Sequence, residues 1–423
     1  NIIGLDSNQT TEVPNGTGVS IFGSNITFGD TTNTYTNVIA GNLYEGIILI
    51  GAQQKNLKVV NTIFGSNDTY TKVFRNGGSA IKLTHSINNV EISGNYIAGS
   101  GLHGIELIRN VVIFLDPNRP HLYQKPYNIY IHDNCLGCMD YDRDNARFGG
   151  SGIWMYSVDS IYVYNNYIQG TDYDGIFIGN DSTRYVSIYG NTIGNLTPDD
   201  SSSFIWGSGI SIEDADYIGI GNYDDIDYRN LIQNCYSYGI SAFNSDSLFI
   251  INNDIMDIDY DGIYIENYES DFILIYQNLI GPLNSDEKLK IGRHGINIKD
   301  ALNILIGNQL LPSDSNHISG CKGYGLSING LADEIYSFAN TFHDCDSGAI
   351  TLNNLKEYFD NGYYNDSLDL DDGPNLLQNT ADMEIGEAKG DSARIKAYFK
   401  GFADSDYRLE IFLGKKLPDN IKY

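Results

Sequence analysis

The residues best suited to chemistry are carboxylates that recur at one place in a repeating pattern. Asp172-Tyr173-Asp174 precedes Gly175, Asp257-Ile258-Asp259-Tyr260-Asp261 precedes Gly262, and Asp344 and Asp346 precede Gly348. Each cluster therefore occupies the turn that feeds a Gly-Ile strand, while Glu213, Asp214 and Glu266 lie just past such strands. Carboxylates at this spacing suit Ca2+, a hard cation that takes about six to eight oxygen ligands. The expected metal ligands are Asp172, Asp174, Asp259 and Asp261, and Ca2+ is the one cofactor the sequence suggests. None of the clusters spells a complete Ca2+ loop, and turn propensity alone also places Asp at such positions.

Aromatic rings are the second signal. Tyr130, Tyr162, Tyr164, Tyr189 and Tyr276 take outward positions on successive strands of a chain that holds 32 Tyr. A ribbon of exposed rings can stack on pyranose faces, and it can equally pack against a loop or another copy of the chain. These five are the expected glycan or partner contacts. Arg109, Arg143, Arg147 and His132 gather in one repeat, the place to look for an active site, but no catalytic set follows from them. Insertions at 109–127, 139–150, 195–206 and 281–293 interrupt the repeat, and loops of this kind carry function more often than scaffold does.

Cys135 and Cys138 form a lone Cys-x-x-Cys without the second ligand pair of a structural zinc site. They read as buried thiols or one local disulfide, while Cys235, Cys321 and Cys345 stand apart. Glycosylation sequons begin at Asn8, Asn15, Asn25, Asn67, Asn180, Asn195 and Asn365.

The elements that position these groups are strands. Gly followed by alternating apolar residues recurs at Gly18, Gly46, Gly104, Gly152, Gly175, Gly209, Gly239, Gly262, Gly295, Gly325 and Gly348. Each copy is followed by an apolar-x-apolar-x-x-Asn motif, as in Ile161 and Val163 before Asn166 or Ile273 and Ile275 before Asn278. The alternation has period two, which marks strands, and a repeat this short marks a solenoid. Strands recurring in one direction must lie parallel at about 4.8 Å, so one coil cannot bury its apolar face but a stack can. The fold expected is all-β, a right-handed parallel β-helix of about 12 coils and roughly 60 Å. The recurrent Asn is expected in the left-handed turn between strands, with its amide free to bond to its equivalent in the next coil.

The net charge of −28 opposes a phosphate backbone, so nucleic acid is excluded as a partner. No apolar run is long enough for a membrane-spanning helix, which excludes direct insertion of that kind. The opening Asn1-Ile2-Ile3 reads as the start of a processed or excised piece, with strand edges that invite further strands.

Residues 1–51, with NIIGLD, NGTGVSI and NVIAGN, resemble the repeat of large secreted right-handed β-helix repeat proteins. Residues 371–379, DDGPNLLQN, are similar to the junction where such helices end and a small β-domain begins. The resemblance implies extracellular or cell-surface placement and no settled chemistry. It divides the chain into a β-helix at 1–365 and a C-terminal β-strand cap or appended domain at 366–423. The same superfold carries polysaccharide lyases, hydrolases and epimerases, but their constellations fail here: Arg394-Ile395-Lys396 lies in the tail, and Leu115-Asp116-Pro117-Asn118 lacks the His of the epimerase pattern. The expected function is a structural or adhesive surface protein that contacts other copies, other envelope proteins or polysaccharide. A carbohydrate-active enzyme is the alternative, and a viral tailspike the third reading.

Overall fold

The computed structural model describes residues 1–352, apart from 31, 33–36, 52–53, 110–124, 140–141, 143–144, 195–202, 223–227, 268–271, 283–289 and 309–310, together with strands at 382–389 and 392–398. The chain winds as a right-handed parallel β-helix. Three parallel sheets run along it, of 12, 12 and 11 strands, and each coil contributes one strand to each sheet in turn. The first sheet collects the short strands that follow the recurrent Asn, the second the Gly-Ile strands, and the third the longer apolar-x-apolar strands.

The period-two pattern decides what faces inward. Ile161, Val163, Ile176, Ile178, Ile263, Ile265, Ile273 and Ile275 are wholly buried in one continuous core made mostly of Ile. Register is in step from coil to coil, as in Ile153 opposite Ile176 and Ile176 opposite Ile210. Identical side chains therefore stack directly and exclude water along the rod. The glycine that opens most second-sheet strands, with Ala80 in its place before Ile81, meets a steric limit: a Cβ on Gly175 would lie 2.5 Å from the Ile193 side chain and 2.6 Å from the Gly209 carbonyl. In the last coil the register places Ala349, not Gly348, opposite the glycine position, because Tyr324 pairs with Gly348.

The recurrent asparagines are buried and continuous. Asn95, Asn134, Asn166, Asn191, Asn230, Asn253, Asn278, Asn316 and Asn340 form a file in which each Nδ2 donates to the next Oδ1 at 2.8–3.0 Å. The same Nδ2 also donates to a backbone carbonyl of the preceding coil, such as Ile131 for Asn166. The expectation of a left-handed Asn is corrected by one position: positive φ falls on the residue before it, at Gly94, Asp133, Asn165, Gly190, Asn252 and Gln277. That preceding residue makes the turn, which frees the Asn to enter the strand and point along the stack. A second left-handed position recurs early in the third-sheet strands, at Asn56, Asn89, Asn128, Ser160, Tyr185 and Tyr217.

Strands at Asp382–Lys389 and Ser392–Tyr398 pair antiparallel. The boundary at 365/366 and the segment 371–379 lie outside the described residues.

Candidate functional site

The second sheet presents two outward rows, set by the same alternation that buries its isoleucines. One row runs Lys82, Glu106, Trp154, Phe177, Ser211, Ser241, Tyr264 and Asn297; the other runs Thr84, Ile108, Tyr156, Gly179, Glu213, Phe243, Glu266 and Lys299. Trp154 stacks on Phe177 with centroids 5.9 Å apart, on Tyr156 at 5.3 Å and on His103 at 5.2 Å. The aromatic run stops at Phe177 because the next coil offers only Ser211.

A cleft of about 730 Å3 opens beside that end. Tyr156, Phe177, Gly179 and Glu213 line it from the sheet, and the turns beyond supply Asn180, Asp181, Asp214, Asp216, Asn244, Asp246 and Asn267. Gly179 lets the Phe177 ring lie over the backbone, since a Cβ there would come within 2.7 Å of it. Burial, with Asp214 beside it, raises the Glu213 carboxyl above the usual range. Among the described residues the lining holds five carboxylates and no Lys or Arg. Such a surface accepts hydrogen bonds from hydroxyls and stacks an apolar ring face, and it repels anions.

The opposite edge of the sheet carries an aromatic corner absent from the sequence expectations. Tyr173, Trp206, Tyr236 and Tyr260 are 63%, 49%, 44% and 42% exposed. Their rings meet at steep angles, 45° between Trp206 and Tyr236 and 70° between Tyr236 and Tyr260, which leaves ring faces open. The signal was present in the sequence: Trp206 and Tyr236 stand three residues before Gly209 and Gly239, the place where other coils carry Asp172 and Asp259.

The four Asp expected to ligate metal sit on this same edge and are largely engaged by protein donors. Arg147 donates to Asp172 from Nε at 3.1 Å and Nη2 at 3.0 Å. Asp174 accepts from the Ser208 N–H at 2.8 Å, and burial pushes its pKa up to about 6. Asp261 is fully buried, accepts from the His294 N–H and from Asn297 Nδ2, both at 2.9 Å, and is raised by that burial. Burial also raises Asp259, with Lys322 opposing the shift. Among the described residues no group of three or more His, Cys, Asp or Glu is placed to hold a metal ion.

Four of the five expected tyrosines come together on the third sheet. Tyr130 stacks on Tyr162 at 5.0 Å and Tyr164 on Tyr189 at 5.2 Å, with His132 on Tyr164 at 4.6 Å. Near-parallel stacking, at 10° or less, covers the ring faces between neighbours in this file. Tyr276 lies three coils beyond Tyr189, with Gly221 and Ile251 in the intervening coils. Of the basic group, His132 bonds Asp133 at 2.7 Å and Arg147 is held by Asp172, so the two serve different faces; Arg143 lies outside the described residues.

Cys135 and Cys138 are joined by a disulfide. Asn8, Asn15 and Asn25 are exposed, Asn67 and Asn180 are half-buried in hydrogen-bonded turns, and Asn195 and Asn365 lie outside the described residues. No helix among the described residues is long and apolar enough to cross a membrane.

No curated protein matches the sequence. Among solved structures the chain is similar to the periplasmic alginate epimerase AlgG, at 15% identity over 82% of this chain and 81% of that one, with a TM-score of 0.48. It is similar to the A-module of the Azotobacter vinelandii mannuronan C-5 epimerase AlgE4, at 13% identity over 80% and 87%, with a TM-score of 0.45. It is also similar to PfbA, a surface adhesin of Streptococcus pneumoniae, at 11% identity over 95% and 85%, with a TM-score of 0.34. The family described as right handed beta helix region matches residues 151–281, the stretch that carries every residue lining the cleft.

Proposed function

We propose that this chain is an extracellular or surface-displayed β-helix that adheres to neutral glycan through the cleft of its second sheet. The observation that carries the reading is the lining: Tyr156 and Phe177 for an apolar ring face, and Asp181, Glu213, Asp214, Asp216 and Asp246 as acceptors for hydroxyls, with no cationic side chain among the described residues that line it. Carboxylates accept and do not donate, so they favour a ligand rich in O–H groups. A uronate held about 4 Å from one of them would meet repulsion of up to ~4 kcal/mol at a surface dielectric, which argues against polyanionic chains such as alginate or pectin in this cleft. Other copies of the chain are the proposed partners of the aromatic corner at Trp206, Tyr236 and Tyr260, and Ca2+ at the Asp172 and Asp259 turns remains part of the proposal.

The test is binding of the intact protein to immobilised neutral polysaccharides and to polyuronates, with Phe177→Ala and Tyr156→Ala beside the parent. Retention on a neutral polymer that both substitutions abolish supports the reading. Tighter retention on polyuronate overturns it.

A second reading, hydrolysis of the bound glycan, is favoured by one group. Burial raises the Glu213 carboxyl above its ordinary value beside the further carboxylate Asp214, the direction of shift that a general acid uses. New reducing ends that vanish in Glu213→Gln would move the protein from adhesin to enzyme.

A further inference from the structure

Cys321 and Cys345 occupy the same row in neighbouring coils. Ser319 pairs with His343 two residues earlier, and the Asp346 N–H bonds the Cys321 carbonyl at 2.8 Å. That bond repeats the one from Asp259 to Cys235, where Cys235 stands directly opposite Ile258. Opposed residues of parallel neighbours hold their Cα atoms roughly 4.8 Å apart, inside the ~4.4–6.8 Å that a disulfide spans. Both side chains turn inward, Cys321 into the core and Cys345 against it. Each thiol donates to the carbonyl two residues before it, Cys321 Sγ to Ser319 at 3.6 Å and Cys345 Sγ to His343 at 3.5 Å, and the neighbouring thiols hold Cys345 below its usual range and push Cys321 up. Cys345 is partly exposed while Cys321 is buried.

We infer that Cys321 and Cys345 form a redox pair that closes into a second disulfide and staples the last two described coils. The need lies in the last described coil. Its strand Thr341–His343 has no buried residue and Gly348–Leu352 has only Thr351, whereas the equivalent strands of inner coils bury alternate residues fully. The oxidant is an external small-molecule disulfide. The Cys345 thiolate attacks one of its sulfurs, forming a mixed disulfide and releasing one thiolate. Cys321 then loses its proton to water and attacks the Cys345 sulfur, releasing the second. Two cysteine hydrogens are lost and two small thiols appear, so electrons balance. Cys235, in the same row, faces Ile205 and Ile258 and has no such partner.

The full chain, incubated with oxidised glutathione, would be digested without reduction and mapped by mass. The expected result is a Cys321–Cys345 linked peptide, loss of two hydrogen atoms, and an accessible-thiol count in denaturant that falls from three to one. Cys321→Ser should instead trap glutathione on Cys345, and Cys345→Ser should leave Cys321 unmodified in the folded protein. Limited proteolysis within 341–352 should slow on oxidation and recover on reduction. Three free thiols after oxidation, or a stable glutathione adduct on Cys345 in the parent, would overturn the inference.

Discussion

Asn191 Oδ1 accepts two hydrogen bonds from one residue of the preceding coil, from the Asn166 backbone N–H and from Asn166 Nδ2, each at 3.0 Å. Neither donor has access to water. Asn191→Ala therefore orphans the Asn166 backbone N–H and takes the Nδ2 donor from the Val163 carbonyl, while Asn166 Nδ2 keeps the Ile131 and Tyr164 carbonyls, and each buried unsatisfied group costs about 1–3 kcal/mol. The expected loss is about 3 kcal/mol in urea unfolding, and Asn128→Ala, in an exposed file, should cost under about 1 kcal/mol. Equal midpoints for the two variants would refute the distinction.

Ile263→Asp should prevent folding, because it places an unpaired charge at a fully buried position between Ile240 and Ile296. Tyr162→Asp, one row outward on the third sheet, should fold. Circular dichroism of the two purified variants checks this, and a normally melting Ile263→Asp would contradict the assigned register.

Acid should stabilise the edge that carries Asp174 and Asp257, both raised to about 6 from 3.8, chiefly by burial. Their folded forms bind protons more tightly than the unfolded chain, so their contribution falls as pH rises from about 4 to about 6 and is unfavourable above that. Asp174→Asn keeps an acceptor for the Ser208 N–H without the charge. At pH 7 it should raise stability by up to about 2 kcal/mol, and near pH 4 the gain should vanish. A gain that is the same at both pH values would exclude the charge as its cause.

For Ca2+, Asp174 and Asp261 are engaged by buried donors, while Asp172 is held by Arg147 through Oδ1 alone and Asp259 is exposed, so the proposal rests on Asp172 Oδ2 and Asp259. A millimolar site would add about 1.4 kcal/mol at tenfold excess over Kd. Melting in EDTA should then fall below melting in Ca2+ for the parent, and coincide for Asp172→Asn with Asp259→Asn. Coincident curves for the parent would remove the cation.

The coil architecture was legible because its signal is local: Ile161-x-Val163 and Gly175-Ile176-x-Ile178 carry period two within a few residues, and that alone sets which side meets the core. What stacks on what was harder to read, because coil lengths vary: Asn166 is 32 residues from Asn134 yet 39 separate Asn191 from Asn230. Cys321 and Cys345 seemed isolated by number and are neighbours by coil. The cleft was invisible for the same reason, being assembled from residues that follow four successive Gly-Ile strands around the small residue Gly179. The tyrosines of the third sheet face outward as the period-two alternation requires, but the spacing of coils, and so which rings stack on which, is not written in the local sequence.

The buried asparagine file has one further consequence. Every Nδ2 from Asn95 to Asn316 points toward the same end, so the rod has a direction, with amide hydrogens leading and amide oxygens trailing in every coil. The file begins inside the stack, where Asn95 Oδ1 accepts from the Thr62 N–H, and runs to Asn340. A coil inserted anywhere between them keeps the file unbroken only if it brings its own asparagine in the same orientation, so the direction of the amides constrains which coils this stack can gain or lose.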